Sequence, residues 1–281
     1  MKVIECPRDA MQGLAEFIPT HQKIEYLNLL LQVGFDTLDF GSFVSPKAIP
    51  QMADTAEVLA GLDLTHTTTK LLAIVANLKG VEQALSHPEI SYLGYPFSIS
   101  ETFQQRNTNA SIESSLLLVE NLLNRCSQQN KQAVIYLSMG FGNPYGDDWS
   151  PELVAHWTQE LANRGATIIA LSDTTGMSTP ESIESLLNSL IPAFEKLEIG
   201  VHLHSLPNES RAKIKAAYQA GCKRFDAAIL GFGGCPMASD SLTGNIDTQI
   251  LIETLTAFKD APTWNATAWQ KSLAYANTLF K

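Results

Sequence analysis

Cationic side chains are scarce in this chain: 19 Lys and Arg stand against 29 Asp and Glu in 281 residues, a formal net charge of −10. A protein that grips a phosphate backbone needs a basic stripe, so the shortage excludes a nucleic-acid binder and leaves any phosphate-bearing ligand to find a local patch. Cysteine is sparse as well. Cys6, Cys126, Cys222 and Cys235 are widely scattered and form no C-x-x-C, which fits reduced thiols and excludes a disulfide framework or a zinc knuckle. No apolar run approaches the ~18 residues of a membrane span, and residues 1–5 enter a strand pattern without a signal h-region or an Arg-rich presequence. The expectation is a soluble, cytoplasmic protein with no membrane partner. Linkers and charge runs are missing too, so no boundary divides residues 1–281 into separate domains. A dinucleotide fingerprint is likewise lacking: Pro7-Arg8-Asp9-Ala10 stands after the first strand, where glycines would be required.

What is present is a hydrophobic content of 45%, arranged as short apolar runs that alternate with longer amphipathic stretches. The runs at 3–6, 37–40, 71–76, 91–95, 133–137, 167–171, 200–204 and 224–229 read as strands. Between the first two, Thr20 is placed to cap a helix with Ile24, Leu27, Leu30 and Leu31 on its apolar face, and Gly34 is placed to stop it. Further helices are expected over 112–125, 152–164 and 180–190. Strand-then-helix units repeated through this length predict an α/β fold, a single (β/α)8 TIM barrel with C-terminal helices on or beside it. A doubly wound open sheet is the alternative.

Barrels of this kind carry their chemistry at the C-terminal ends of the strands. The polar residues fall there. Arg8 and Asp9 follow the first strand, Asp39 ends the second, and Asp173 lies just past the sixth in Leu171-Ser172-Asp173-Thr174. Two of only six histidines sit two residues apart in "VHLHS" at 201–205, so His202 and His204 project from one face of a strand. They could be an ordinary hydrogen-bonded pair. Charged and imidazole groups gathered at one rim are expensive unless paired or metal-bound, however, and this favours a metal. His202, His204 and Asp9 would form its core, with Asn245 reaching in from the glycine-rich loop "GFGGCPMASDSLTGN" after the eighth strand. Such a mixed nitrogen and oxygen set suits Mg²⁺ or Mn²⁺, with Zn²⁺ also possible, and leaves positions for a bidentate substrate.

The blocks "ECPRDAMQ", "SFVSPKAIPQM", "SDTTGMSTP", "VHLH" and "GFGGCP" followed by "TGN" occur in the order found in the hydroxymethylglutaryl-CoA lyases. The chain resembles that family, which belongs to the metal-dependent barrels named for an Asp-Arg-Glu triad, from about residue 3 to about residue 255. The resemblance implies an acyl-CoA substrate, Mg²⁺ or Mn²⁺, and cleavage of 3-hydroxy-3-methylglutaryl-CoA to acetyl-CoA and acetoacetate. In that chemistry Arg8 is placed to stabilise a thioester enolate, and Cys235 to protonate it as a thiol still protonated at neutral pH. Asp39 takes the place of the triad glutamate, and Asp173 is expected to orient Arg8 or a histidine. Gln12, Asn77 and Tyr136 are candidates for the substrate pocket, and Lys47 and Lys79 for CoA phosphates.

Three departures from the family pattern stand out. Asp39 is one methylene shorter than glutamate, and Ser205-Leu206-Pro207-Asn208-Glu209 replaces the usual Asp-Thr-Tyr-Gly stretch. The loop between Cys235 and Asn245 holds Met237, Asp240 and Leu242 and is one residue longer. These changes bear on the acyl group more than on the reaction type. A 4-hydroxy-2-oxoacid aldolase or a Claisen-type acyltransferase on the same barrel would not call for Cys235, and a catalytically inactive, metabolite-binding barrel is a third reading. A barrel hydrolase fits less well, since its H-x-H pair comes on the first strand. Trp264, Trp269 and Phe280 in the C-terminal helices either cap the barrel or bury against a second subunit, a homodimer being the usual soluble oligomer.

Overall fold

A computed structural model describes residues 1–234 and 243–280. Eight parallel strands, β1 (Lys2–Glu5), β2 (Thr37–Ser42), β3 (Lys70–Ile74), β4 (Ile90–Ser98), β5 (Gln132–Ser138), β6 (Ile168–Asp173), β7 (Glu198–Leu203) and β8 (Arg224–Ala227), close into a barrel in chain order. Between them run α1 (Pro7–Gln12), α2 (Thr20–Leu31), α3 (Thr55–Ala60), α4 (Leu78–Leu85), α5 (Glu101–Thr108), α6 (Ile112–Gln128), α7 (Pro151–Asn163), α8 (Pro180–Ala193) and α9 (Pro207–Gln219). After β8 come α10 (Thr248–Ala257) and α11 (Ala266–Leu279). This is the (β/α)8 TIM barrel read from the sequence. Among the described residues no helix is long and apolar enough to cross a membrane.

The strands read as apolar runs because both of their faces are covered. Leu72, Tyr92, Val134, Ile168 and Ala170 fill the barrel interior, while Ile135, Ile169, Val201 and Phe225 point outward into the layer shared with the helices. The strand ends differ from the sequence reading for identifiable reasons. The apolar run ends at 95, yet Pro96 pairs in register with Tyr136, and β4 continues to Ser98 opposite Ser138. Conversely, β8 ends at Ala227 and not 229, because Leu230 and Gly231 adopt positive φ (64° and 69°) and turn the chain out of the sheet. Thr20 does not cap α2. It is the first helical residue after Pro19, and its hydroxyl donates to Asp54 (2.8 Å).

The same helix buries Lys23, whose ammonium reaches the Gln51 carbonyl and the Asp54 carboxylate. The C-terminal helices lie on the barrel. Phe280 packs edge-on to Tyr26 of α2 and stacks on Phe232, and Trp269 is buried against Phe35 and Trp264.

Candidate active site

Pro7 starts α1 immediately after β1, so Arg8 and Asp9 are held in a helical first turn over the barrel mouth. Both are buried. The Arg8 guanidinium forks onto Asp39, with Nη2 2.6 Å and Nε 3.0 Å from Oδ2, and its Nη1 donates to Asp9 (3.0 Å) and Gln12 (2.9 Å). Gln12 in turn donates to Asp9 Oδ1 (2.7 Å). Four of the five N–H donors of Arg8 are thereby engaged among the described residues, which leaves one on Nη2. Burial opposes the charge on Arg8, but Asp39 and Asp9 outweigh it and raise its pKa, so it is a fixed cation. Burial pushes Asp39 up to about 6 against the pull of Arg8. Asp9 behaves oppositely: burial works to raise it, yet Arg8 and the two imidazoles hold it well below the usual carboxylate range.

His202 and His204, inward at the end of β7, are buried and adjacent. His204 Nδ1 lies 3.1 Å from the Thr174 carbonyl, which can only accept, so that nitrogen carries the proton. His202 Nδ1 lies 3.2 Å from Asp226 Oδ2 and is protonated for the same reason. In the neutral rings both Nε2 atoms are then bare, and they face each other at 3.3 Å. Two lone pairs at that separation repel unless a cation lies between them, and the Asp9 carboxylate completes a donor set whose atoms all fall within 4.8 Å of one another. These residues therefore fit a divalent metal. Burial and the neighbouring His202 pull His204 down to about 4, whereas for His202 the Asp226 carboxylate overcomes burial and raises it.

Asn245 is brought to the site beside His204, as expected, but through its amide nitrogen. Nδ2 donates to Asp9 Oδ2 (2.5 Å) and to the Phe232 carbonyl (2.9 Å), so in this arrangement it clasps the carboxylate, and ligation through Oδ1 would require the carboxamide to turn. Gly233 passes close beneath it at φ +116°. A Cβ there would lie 2.3 Å from Asn245 Nδ2 and 2.7 Å from Asp9 Oδ2, which explains the glycine.

Asp173 sits differently from the expectation. It touches neither Arg8 nor a histidine; it accepts from Ser178 N and Oγ and pairs with Lys213 (3.3 Å), because Lys213 on α9 is the cation within its reach. Lys213 also donates to the carbonyls of Gly176 and His204. The pair thus pins the turn that carries Thr174, and Lys213 also holds the backbone of His204 directly. Cys235, with Met237, Asp240 and Leu242, lies outside the described residues.

A cavity of about 370 Å³ opens onto this constellation, and Arg8, Asp9, Gln12, Asn77, Tyr136 and both histidines line it. Asn77 also caps α4 by accepting from Gly80 N (2.9 Å). Lys47 is exposed and Lys79 borders a neighbouring depression; neither lines this cavity. Ile49 also lines it, with Arg106, Asn107 and Asn109 at and just past the end of α5, which were not anticipated. Nor was Asp226 behind His202. Its signal was the parity of "RFDA", with two charged residues on one face of an otherwise apolar strand.

Comparison with known proteins bears on this geometry. A family model described as HMGL-like matches residues 4–277. The chain is 34% identical over 255 residues to the cytoplasmic 3-hydroxy-3-methylglutaryl-CoA lyase of Rattus norvegicus, covering 90% of this chain and 73% of that protein. It is 33% identical to the mitochondrial hydroxymethylglutaryl-CoA lyase of Macaca fascicularis, over 90% of this chain and 77% of that one. Among solved structures, an HMG-CoA lyase from Acinetobacter baumannii in complex with coenzyme A and 3-methylmalate superposes with a TM-score of 0.91 at 29% identity, covering 99% of this chain and 90% of the other. The chain belongs to the HMGL-like family, and within it to the carbon–carbon lyases.

Proposed function

We propose that the protein cleaves 3-hydroxy-3-methylglutaryl-CoA, or a closely related 3-hydroxyacyl-CoA, to acetyl-CoA and acetoacetate by a divalent-metal-dependent retro-Claisen reaction. The observation that carries this reading is the convergence of Asp9, His202 and His204 beside the caged guanidinium of Arg8, in a cavity of about 370 Å³. Mg²⁺ or Mn²⁺ held there, with Zn²⁺ as the other fit, would supply Lewis-acid polarisation of a tertiary hydroxyl and a neighbouring carboxylate oxygen.

The chain's own groups divide the remaining work. Once a base in the cavity has taken the hydroxyl proton, which returns at the end to the Cys235 thiolate, the oxygen's electrons close the ketone, the C2–C3 bond breaks, and its electron pair passes to the thioester as an enolate. Arg8 offers that enolate a fixed charge and the Nη2 donor that is unengaged among the described residues, in a site where the guanidinium is already held in place as charge develops. Asp39 has both oxygens committed to Arg8, so it orients the guanidinium. Gln12 and Asn245 hold Asp9 from either side. Cys235, ten residues before Asn245, is the proposed acid that returns a proton to C2. A cytoplasmic location and a homodimer complete the proposal.

The test is production of acetoacetate from 3-hydroxy-3-methylglutaryl-CoA with and without a chelator. Turnover that chelation abolishes and Mn²⁺ restores is the expected result. Cleavage of 4-hydroxy-2-oxoacids, or acyl transfer in place of cleavage, would replace this reading with the aldolase or acyltransferase, and bound metal without turnover on any acyl-CoA would mark an inactive barrel.

A further inference from the structure

We infer that Asp226 is a positioning residue for His202 and that the buried charge of Arg224 supports the Asp226 carboxylate from inside the barrel without touching it. The inference rests on the reading of His202 as a metal ligand. A neutral imidazole can place its proton on either nitrogen, and it can bind a cation through Nε2 only when the proton sits on Nδ1. Something behind each ring must make that choice. For His204 it is the Thr174 carbonyl, a neutral acceptor (3.1 Å). For His202 it is a full carboxylate, Asp226 Oδ2 (3.2 Å), so the two ligands are supported unequally.

Asp226 has no other evident occupation. Its side chain is completely buried, its one hydrogen bond is to His202, and its Oδ1 has no partner among the described residues. A carboxylate so placed is costly to bury, by several kcal/mol in real proteins, unless a charge answers it. The buried cation that answers it is Arg224, two residues earlier on the same inward face of β8, which makes no hydrogen bond or ion pair with Asp226 and acts on it through space. Its Nη1 donates to Glu198 (3.3 Å), whose other oxygen takes Lys2 at the N-terminal end of the barrel, while Nε and Nη2 have no hydrogen-bond partner among the described residues.

Room for this stem comes from Gly200 on β7. A Cβ at 200 would lie 2.7, 2.8 and 2.9 Å from Cδ, Cγ and Cβ of Arg224. Charges therefore line up from Lys2 and Glu198 at the N-terminal mouth of the barrel, through the buried Arg224, to Asp226 on the back of His202, with no direct contact between the last two. Tyr136, edge-on to His202 at 5.6 Å between ring centroids, packs the same end of the run.

The experiment measures Mn²⁺ affinity by calorimetry for the wild type, Asp9→Asn, Asp226→Ala, Asp226→Asn and Gly200→Ala, and reads the His202 tautomer by ¹⁵N NMR in the zinc-loaded protein. Loss of a group behind a metal-bound imidazole characteristically weakens affinity by about 10–100-fold. Asp226→Ala is expected to do this. Asp226→Asn, which can still accept from Nδ1–H but brings no charge, is expected to recover part of the loss. Gly200→Ala, which touches no ligand and displaces Arg224, is expected to weaken binding in the same direction. If Asp9→Asn abolishes binding while both Asp226 variants bind within twofold of wild type with Nδ1 still protonated, the positioning role is wrong and the metal reading stands. If the wild type takes up no Mn²⁺ at all, the metal reading fails, and this inference fails with it.

Discussion

Glu5 ends β1 immediately beneath the catalytic rim, and its burial makes a quantitative demand on the pH dependence of stability. The carboxyl is completely buried; Oε1 accepts from Ile229 N (2.8 Å) and Oε2 from the Thr248 hydroxyl (2.6 Å), so it fastens β1 to the turn after β8 and to the start of α10. Burial pushes it from an ordinary 4.5 up to about 8, with those two hydrogen bonds opposing the rise. Between these values the folded chain keeps a proton that the unfolded chain has released, so stability falls as pH rises through that window. At about 1.4 kcal/mol per pH unit the whole effect is about 5 kcal/mol, of which about 3 kcal/mol is gone by pH 7. Glu5→Gln removes the titration, and its amide can still accept from Ile229 N while the Thr248 hydroxyl turns to accept from it. Urea unfolding followed by tryptophan fluorescence is expected to show the variant gaining on the wild type by about 3 kcal/mol between about pH 5 and pH 8. A difference between the two proteins that stays flat across this range would refute the assignment of a protonated, buried Glu5.

At the site itself, Arg8→Lys keeps the charge and loses the fork onto Asp39, and kcat for thioester cleavage is expected to fall by about 10²–10³-fold in steady-state assays. Cys235→Ser is expected to lower acetoacetate production by at least about 10²-fold at saturating metal, and a loss of only a few fold would remove Cys235 from the mechanism. Gly233→Ala places a methyl against Asn245 and Asp9 at positive φ, so a thermal melt is expected to report about 1–3 kcal/mol of destabilisation, accompanied by weaker Mn²⁺ retention in equilibrium dialysis.

The barrel was legible because strands covered on both faces must be apolar throughout, and those runs fall where β1 to β8 lie. Strand ends were less legible, since they depend on register with a neighbour. Pro96 carries β4 onward in register with Tyr136, and beyond the end of β8 Leu230 takes a positive φ that its residue type does not announce. The same division runs through the site. Arg8, Asp9, His202 and His204 stand in short motifs whose spacing carries meaning. Asp226 is a single acidic residue in "RFDA", and only closure of the sheet brings it behind His202, which it faces in the β7–β8 register. Asp173 was misplaced for a related reason: Lys213 lies 40 residues further along the chain, and nothing local pairs them.

The aspartate at 39 is best understood through Arg8. The guanidinium approaches this carboxylate to 2.6 Å and occupies both of its oxygens. With Asp39 so engaged, the guanidinium is fixed on three sides by Asp39, Asp9 and Gln12, which preserves a fixed cation where an enolate would form. Asp9, a proposed metal donor, is steadied separately by Gln12 and Asn245. Cation and donor set together decide the class of reaction, whereas the walls of the cavity decide which acyl group enters. Asp39 is fully buried behind Arg8 and is not one of those walls, so the shorter carboxylate acts on the site through the guanidinium it holds.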